Sequence, residues 1–199
     1  MGRIVCVANQ KGGVGKTTTA SNVAAGLAKA GMQTLLVDLD PQCNATTGLG
    51  GVPAKTHPLV SEAALGENVV STAVTNLSLL PGSRSVRDVE RIAEQARAGS
   101  MVLSNHLSCG LNAWDYCLID CPPSLGELTR TALAGSTEVL MPIQCEYFAL
   151  EGLTQMIEVI RDVMADQPGR LSFSGIVLTM HDANLELTTE VEREVRDFF

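Results

Sequence analysis

Six short segments read as strands, several of them apolar at consecutive positions and not alternating: Ile4–Ala8, Thr34–Val37, Leu77–Leu80, Tyr116–Ile119, Val139–Ile143 and Gly175–Thr179. Unbroken runs of this kind, rich in Val, Ile and Leu, suit strands that are covered on both faces. Between them lie stretches with helical spacing, at Thr17–Ala30, Val86–Ala98, Leu128–Ala134, Leu150–Asp166 and Thr188–Phe199. Strand and helix in alternation predict an α/β fold, a mostly parallel twisted sheet flanked by helices with right-handed crossovers. Residues 48–76 are the least regular and read as loops with a short helix. Leu153, Met156, Ile157 and Ile160 form one helical face for the core. Trp114 and Tyr116 are expected to pack at the start of their strand. Near the end, Thr189 and Glu192 resemble a capping box, followed by Val191, Val195 and Phe198 at helical spacing, with Leu187 just before. A helix that stops on Phe198 and Phe199 without a C-cap reads as interrupted, so the expectation is a single domain, 1–199, truncated at its C-terminus.

Composition narrows the class. The 199 residues are 45% hydrophobic and 18% charged, enough for a core and incompatible with disorder throughout. With 4% aromatics, that core must be built from Ala, Val, Leu and Ile. A net charge of -8 argues against coating nucleic acid by bulk charge, though a local basic patch stays open. The six cysteines (Cys6, Cys43, Cys109, Cys117, Cys121 and Cys145) form no C-x-x-C pair, and no apolar run is long enough for a membrane span. The reading is a reduced, cytoplasmic protein.

One segment carries chemistry. Asn9-Gln10-Lys11-Gly12-Gly13-Val14-Gly15-Lys16-Thr17-Thr18 joins the first strand to the first helix. Glycines there let backbone N–H groups approach phosphate oxygens, and the helix start adds its positive dipole end. Lys16 would reach the β- and γ-phosphates and the Thr17 hydroxyl would ligand Mg²⁺. Gln10 stands where the usual G-x-x-x-x-G-K-[ST] pattern begins with glycine, and Lys11 is extra. Asp38 and Asp40 end the second strand, at the carboxyl edge where α/β sheets bind ligands. On physics alone their roles are interchangeable. Asp120 ends another apolar strand, where a carboxylate can meet Mg²⁺, through a water. Pro41 and Pro123 stiffen the loops that follow.

Residues 11–18 resemble the deviant Walker A motif of the ParA/MinD family of ATPases. Val37–Thr46 resembles switch I of its ParA/Soj branch, and Leu118–Gly126 resembles Walker B with switch II. Pro142–Gly152 and Leu178–Asp182 are also similar to Soj-type sequences, and the blocks follow the family's order along the whole chain. The resemblance implies a P-loop fold, lacking here the family's last strand and helices, with ATP and Mg²⁺ as cofactors. It implies that Lys11, Gly12, Gly13, Val14, Gly15, Lys16, Thr17 and Thr18 bind nucleotide, with Met180 packing on the base. It makes Thr17, Asp38 and Asp120 the metal side of the site. Asp40 orients the attacking water, while Lys11 crosses a dimer interface to touch the partner's nucleotide.

The function so implied is a Mg-dependent, weakly active ATPase. It closes an ATP-sandwich homodimer, binds DNA without sequence preference, and is stimulated by a ParB-like activator during plasmid or chromosome partition. In a cell it would be cytoplasmic and nucleoid-associated. Asp182-Ala183-Asn184-Leu185 replaces the Soj-type Asp-x-Arg-Thr, whose arginine is associated with DNA, and Arg84, Arg87, Arg91, Arg161 and Arg170 form no obvious patch. The alternative is a MinD-like membrane-cycling or cargo-positioning ATPase. The acidic tail, with Glu190, Glu192, Glu194 and Asp197, opposes binding to anionic lipid. A dethiobiotin-synthetase-like or cobyrinate-synthetase-like ligase shares the fold but needs a carboxylate-binding site that no motif marks. A [4Fe–4S] cluster at Cys121, with Cys109 as formal partner, competes with small buried thiols. His57, His106 and His181 show no metal spacing.

Overall fold

The computed structural model describes residues 2–61, 63–88, 114–146, 149–166 and 168–198. Seven strands form one sheet: β1 (Arg3–Val7), β2 (Thr34–Asp38), β3 (Val70–Ser71), β4 (Leu77–Leu80), β5 (Tyr116–Asp120), β6 (Glu138–Gln144) and β7 (Ser172–Thr179). Their order is β3-β4-β2-β5-β1-β6-β7. Every pairing is parallel except the short β3 against β4. The described α-helices are α1 (Lys16–Lys29), α2 (Asn44–Gly48), α3 (Pro58–Ser61), α4 (Glu127–Gly135), α5 (Ala149–Asp166) and α6 (Glu186–Phe198).

Strand alternation divides the core into two layers. Ile4 and Cys6 of β1, Leu35 and Val37 of β2, and Cys117 and Ile119 of β5 point into the layer that includes Leu133, Leu153, Met156 and Val191 from α4, α5 and α6. Val5, Val7, Leu36 and Leu118 point the other way, onto α1. There Ala20, Ala24 and Ala28 recur every four residues on the buried stripe. Alanine at each step lets the helix axis come close to the sheet, so its first turn lies over the strand ends. Cutting a fully buried Leu36 or Leu118 to alanine costs about 2–5 kcal/mol, the usual range for core leucines.

The six strands expected from sequence are present: Leu77–Leu80 keeps its bounds, and the ends of the other five move by no more than three residues. β7 begins at Ser172 because its backbone pairs with Glu138 and Val139, across a bulge at Val139/Leu140. β3 escaped the reading because it is two exposed residues with no apolar run. The helix expected at Val86–Ala98 falls mostly outside the described residues, which show a 3-10 turn at Arg84–Val86. The capping box at Thr189 and Glu192 is corrected. The helix starts at Glu186, so Thr189 lies inside it, and Glu192 instead accepts from Arg196 and pairs with His181. The buried stripe of α6 is Thr188, Val191 and Val195, and Leu187 is exposed. The expected core face of α5 holds, with Leu153, Met156 and Ile160 buried and Ile157 packed against them. Among the described residues, no helix is long and apolar enough to cross a membrane.

Candidate functional site

The carboxyl ends of β1, β2 and β5 bring the chemical residues together. A cleft of about 270 Å³ is lined by Gly12, Gly13, Gly15, Lys16, Thr17 and Thr18 from the loop and α1, by Asp40, Gln42 and Asn44 after β2, and by Pro123 and Met180. A larger recess, about 540 Å³, opens at the other end of the strands. Its charged pair is self-contained: the Arg3 guanidinium donates twice to Glu138, at 2.5 and 2.6 Å, and Ser174 donates to the same carboxylate. The chemistry therefore belongs to the smaller cleft.

The glycine loop is shaped from several directions. Gly13 (φ 78) and Gly15 (φ 86) occupy the left-handed region, where a Cβ would be strained. Asn9 accepts from the Lys11 amide at 3.0 Å and donates to the Pro142 carbonyl at 2.7 Å, tying the loop to β6. Thr179 of β7 donates its hydroxyl to the Val14 carbonyl at 2.9 Å. The sequence motifs assign Asn9 and Thr179 no role; the packing of β6 and β7 against the loop reveals their work.

Lys16 is 6% exposed, and its ammonium donates to the Lys11 carbonyl at 2.7 Å. Burial pulls its pKa down, against the attraction of Asp120, Cys121 and Asp40. Lys11 forms an ion pair with Glu146, in the loop after β6, so in this conformation it is engaged within its own chain. Met180 is 62% exposed at the rim, with a left-handed backbone (φ 52).

The carboxylates differ. Asp120 has no solvent exposure, and neither of its oxygens makes a hydrogen bond of ordinary geometry. Burial pushes its pKa up to about 7; the nearby Thr17 hydroxyl favours the charged form, Asp38 and Asp40 oppose it, and Lys16 attracts it. A buried acid with orphaned oxygens beside a threonine hydroxyl fits a divalent cation. Asp38 does not share that position. Its Oδ2 accepts from the Thr46 amide (2.8 Å) and hydroxyl (2.6 Å), and its Oδ1 accepts from the Asp40 amide (3.2 Å). Like Asp120, it lies behind the cleft lining, and burial raises its pKa while these bonds hold it down. The Asp38 oxygens thus anchor the loop after β2. Asp40 does line the cleft, its Oδ1 held by the Gln42 amide at 2.8 Å.

Cys121 is buried with its sulfur 3.3 Å from that of Cys6, and this contact, together with burial, raises its pKa. Cys109, His106 and Arg91 lie outside the described residues. Among the described residues, no cluster of three His, Cys, Asp or Glu could hold a metal.

Residues 2–173 match the model of a family described as an AAA domain. The chain is 42% identical over 204 residues to the sporulation initiation inhibitor protein Soj of Bacillus subtilis (strain 168), covering 100% of this chain and 81% of that protein. It is 44% identical over 203 residues to the chromosome-partitioning ATPase Soj of Treponema pallidum (strain Nichols), covering 100% and 79%. The chain belongs to the ParA/MinD family of ATPases, in the ParA/Soj branch. Among solved structures, cobyrinic acid a,c-diamide synthase of Mycobacterium smegmatis with bound ADP and magnesium superposes with a TM-score of 0.93 at 34% identity, covering 100% of this chain and 83% of that one. A second structure of that synthase holds an ATP analogue and magnesium. The cofactors of the ParA/Soj reading, ATP and Mg²⁺, are those these solved relatives hold.

Proposed function

We propose that this ParA/Soj ATPase hydrolyses MgATP at the cleft of Gly12–Thr18 and uses the cycle to partition DNA. The observation that carries the reading is Asp120: a buried, unsatisfied carboxylate beside Thr17 and Lys16. Thr17 and Asp120 would hold the metal, which supplies charge to the β- and γ-phosphates. The loop amides and the start of α1 bind the phosphates, and Lys16 swings from the Lys11 carbonyl to the same oxygens. Asp40, at the edge of the cleft, orients the attacking water. Met180 covers the base.

Lys11 acts across a nucleotide-dependent homodimer. To do so it must leave Glu146, which makes the ion pair a resting position for the lysine. A ParB-like activator would stimulate turnover, and non-specific DNA would bind the dimer. Burial of Asp120 and Lys16 keeps water from screening the charges that the phosphates meet.

The test is ATP turnover with Mg²⁺, with and without duplex DNA, for the protein and for Lys11→Ala. Lys11→Ala should bind ATP but lose hydrolysis and ATP-dependent dimerisation; unchanged turnover rejects the trans role. A MinD-like reading predicts co-sedimentation with anionic liposomes in ATP. The likeness to the diamide synthase favours a third reading, a ligase, which requires ATP consumption to depend on an added carboxylic acid and amine donor.

A further inference from the structure

We propose that Thr46 is a positioning residue for Asp40: its buried hydroxyl, clasped between Asp38 and the Gly82 amide, holds the loop that presents Asp40 to the nucleotide. This rests on the reading of Asp40 as the group that orients water.

Thr46 has no solvent exposure and is not part of the cleft lining. Its hydroxyl donates to Asp38 Oδ2 at 2.6 Å and accepts from the Gly82 N–H at 2.8 Å. Its own amide donates to the same Asp38 oxygen at 2.8 Å. The other Asp38 oxygen accepts from the Asp40 amide at 3.2 Å. One connected set of hydrogen bonds thus runs from the segment after β4, through α2, to the backbone of Asp40.

The hydroxyl is needed because it does two jobs at once. It fills a carboxylate lone pair, and it satisfies a buried amide that nothing else reaches. Gly82 is glycine for the same reason: a Cβ there would lie 2.8 Å from Asp38 Cγ and push the clasp open. The helix it anchors, α2, has five residues and starts from a left-handed Cys43 (φ 57), so it has little stability of its own. Between β2 and α2 the chain is further cinched by the Cys43 amide on the Asp40 carbonyl, at 2.8 Å. With the clasp intact, Asp40 has one place to be. The neighbouring Thr47 is exposed, and its hydroxyl bonds only to carbonyls of its own turn, Cys43 and Asn44.

Thr46→Val, which keeps shape and removes the hydroxyl, should lower kcat for ATP by about tenfold or more, since small misplacements of a catalytic group cost heavily. KM for MgATP and the stoichiometry of a fluorescent ATP analogue should stay within about twofold. Thr46→Ser should restore kcat, and Thr47→Val should leave it unchanged. If Thr46→Val does not fold, Gly82→Ala opens the clasp with Thr46 in place and should show the same split. Asp40→Ala is measured alongside. If Asp40→Ala abolishes turnover while Thr46→Val and Gly82→Ala keep kcat, the positioning role is overturned and the reading of Asp40 stands. If Asp40→Ala keeps turnover, that reading fails and the positioning role falls with it. A fall in kcat matched by lost binding stoichiometry marks a folding defect and also overturns the proposal.

Discussion

The ends of β2 and β5 lie side by side, with Asp38 opposite Asp120 in register, and both side chains are fully buried. At the β2 end, three donors fill the carboxylate; at the β5 end, none does. Burying a charge is costly without partners. Asp38 finds its partners inside the fold and becomes part of the scaffold. Asp120 lacks them, which supports the proposal that it meets a cation from outside. Two acids that end strands in the same way thus differ in the donors that reach them.

The sharpest way to break this contrast is truncation of each acid. Asp120→Ala should lower Mg-dependent ATP turnover by about 100-fold or more, a loss typical of a transition-state charge partner. The apparent affinity for Mg²⁺ should fall with it, read from a metal titration of turnover. If Asp38→Ala weakens Mg²⁺ binding equally, the division of roles is wrong.

Stability should move the other way. Asp38→Ala leaves the Thr46 amide and hydroxyl and the Asp40 amide without an acceptor, and should cost about 2–4 kcal/mol in urea unfolding. Asp120→Asn should be neutral or stabilising at pH 8 without metal.

The pH dependence sharpens the same point. Burial holds the Asp120 pKa at about 7, above its usual 3.8. Between those values the folded chain keeps a proton that the unfolded chain has released. The stability of the metal-free protein should therefore fall as pH rises through that window and level off above it, by about 1–2 kcal/mol after discounting for relaxation. The raised pKa of Asp38 adds to the same slope. Asp120→Asn should flatten most of it, as chemical denaturation at several pH values without Mg²⁺ would report.

The smallest effect belongs to Glu146. Its ion pair with Lys11 is partly exposed, so Glu146→Gln should change stability by no more than about 0.5 kcal/mol. Under the proposed trans role of Lys11, it should nonetheless lower the ATP concentration at which the proposed dimer forms, measured by sedimentation velocity, because Lys11 no longer has to be released.

Much of the fold was legible in sequence because buried parallel strands leave an apolar record. Ile4–Ala8, Thr34–Val37 and Tyr116–Ile119 read as strands since both their faces are covered. β3 left no such record, being two exposed residues held only by pairing with β4. The α6 start was misread because Thr189 and Glu192 satisfy a local rule that Thr188, buried against the core, overrides. In the site, Gly13, Gly15, Lys16 and Thr17 were legible because neighbouring residues in the chain are neighbours in the loop. Asn9, Thr46, Gly82, Glu146 and Thr179 were not, because their partners are distant in the chain.

Local order along the chain therefore determined that a phosphate loop exists, which strand feeds it and which helix receives it. It also determined that acids end the two strands nearby. Which acid is satisfied, and which threonine of the pair at 46 and 47 is structural, was decided only by tertiary packing. The donors to Asp38 come from the loop and helix that follow it, but Thr46 is held there by Gly82 from the segment after β4, and a carboxylate's role depends on the donors that reach it once water is gone.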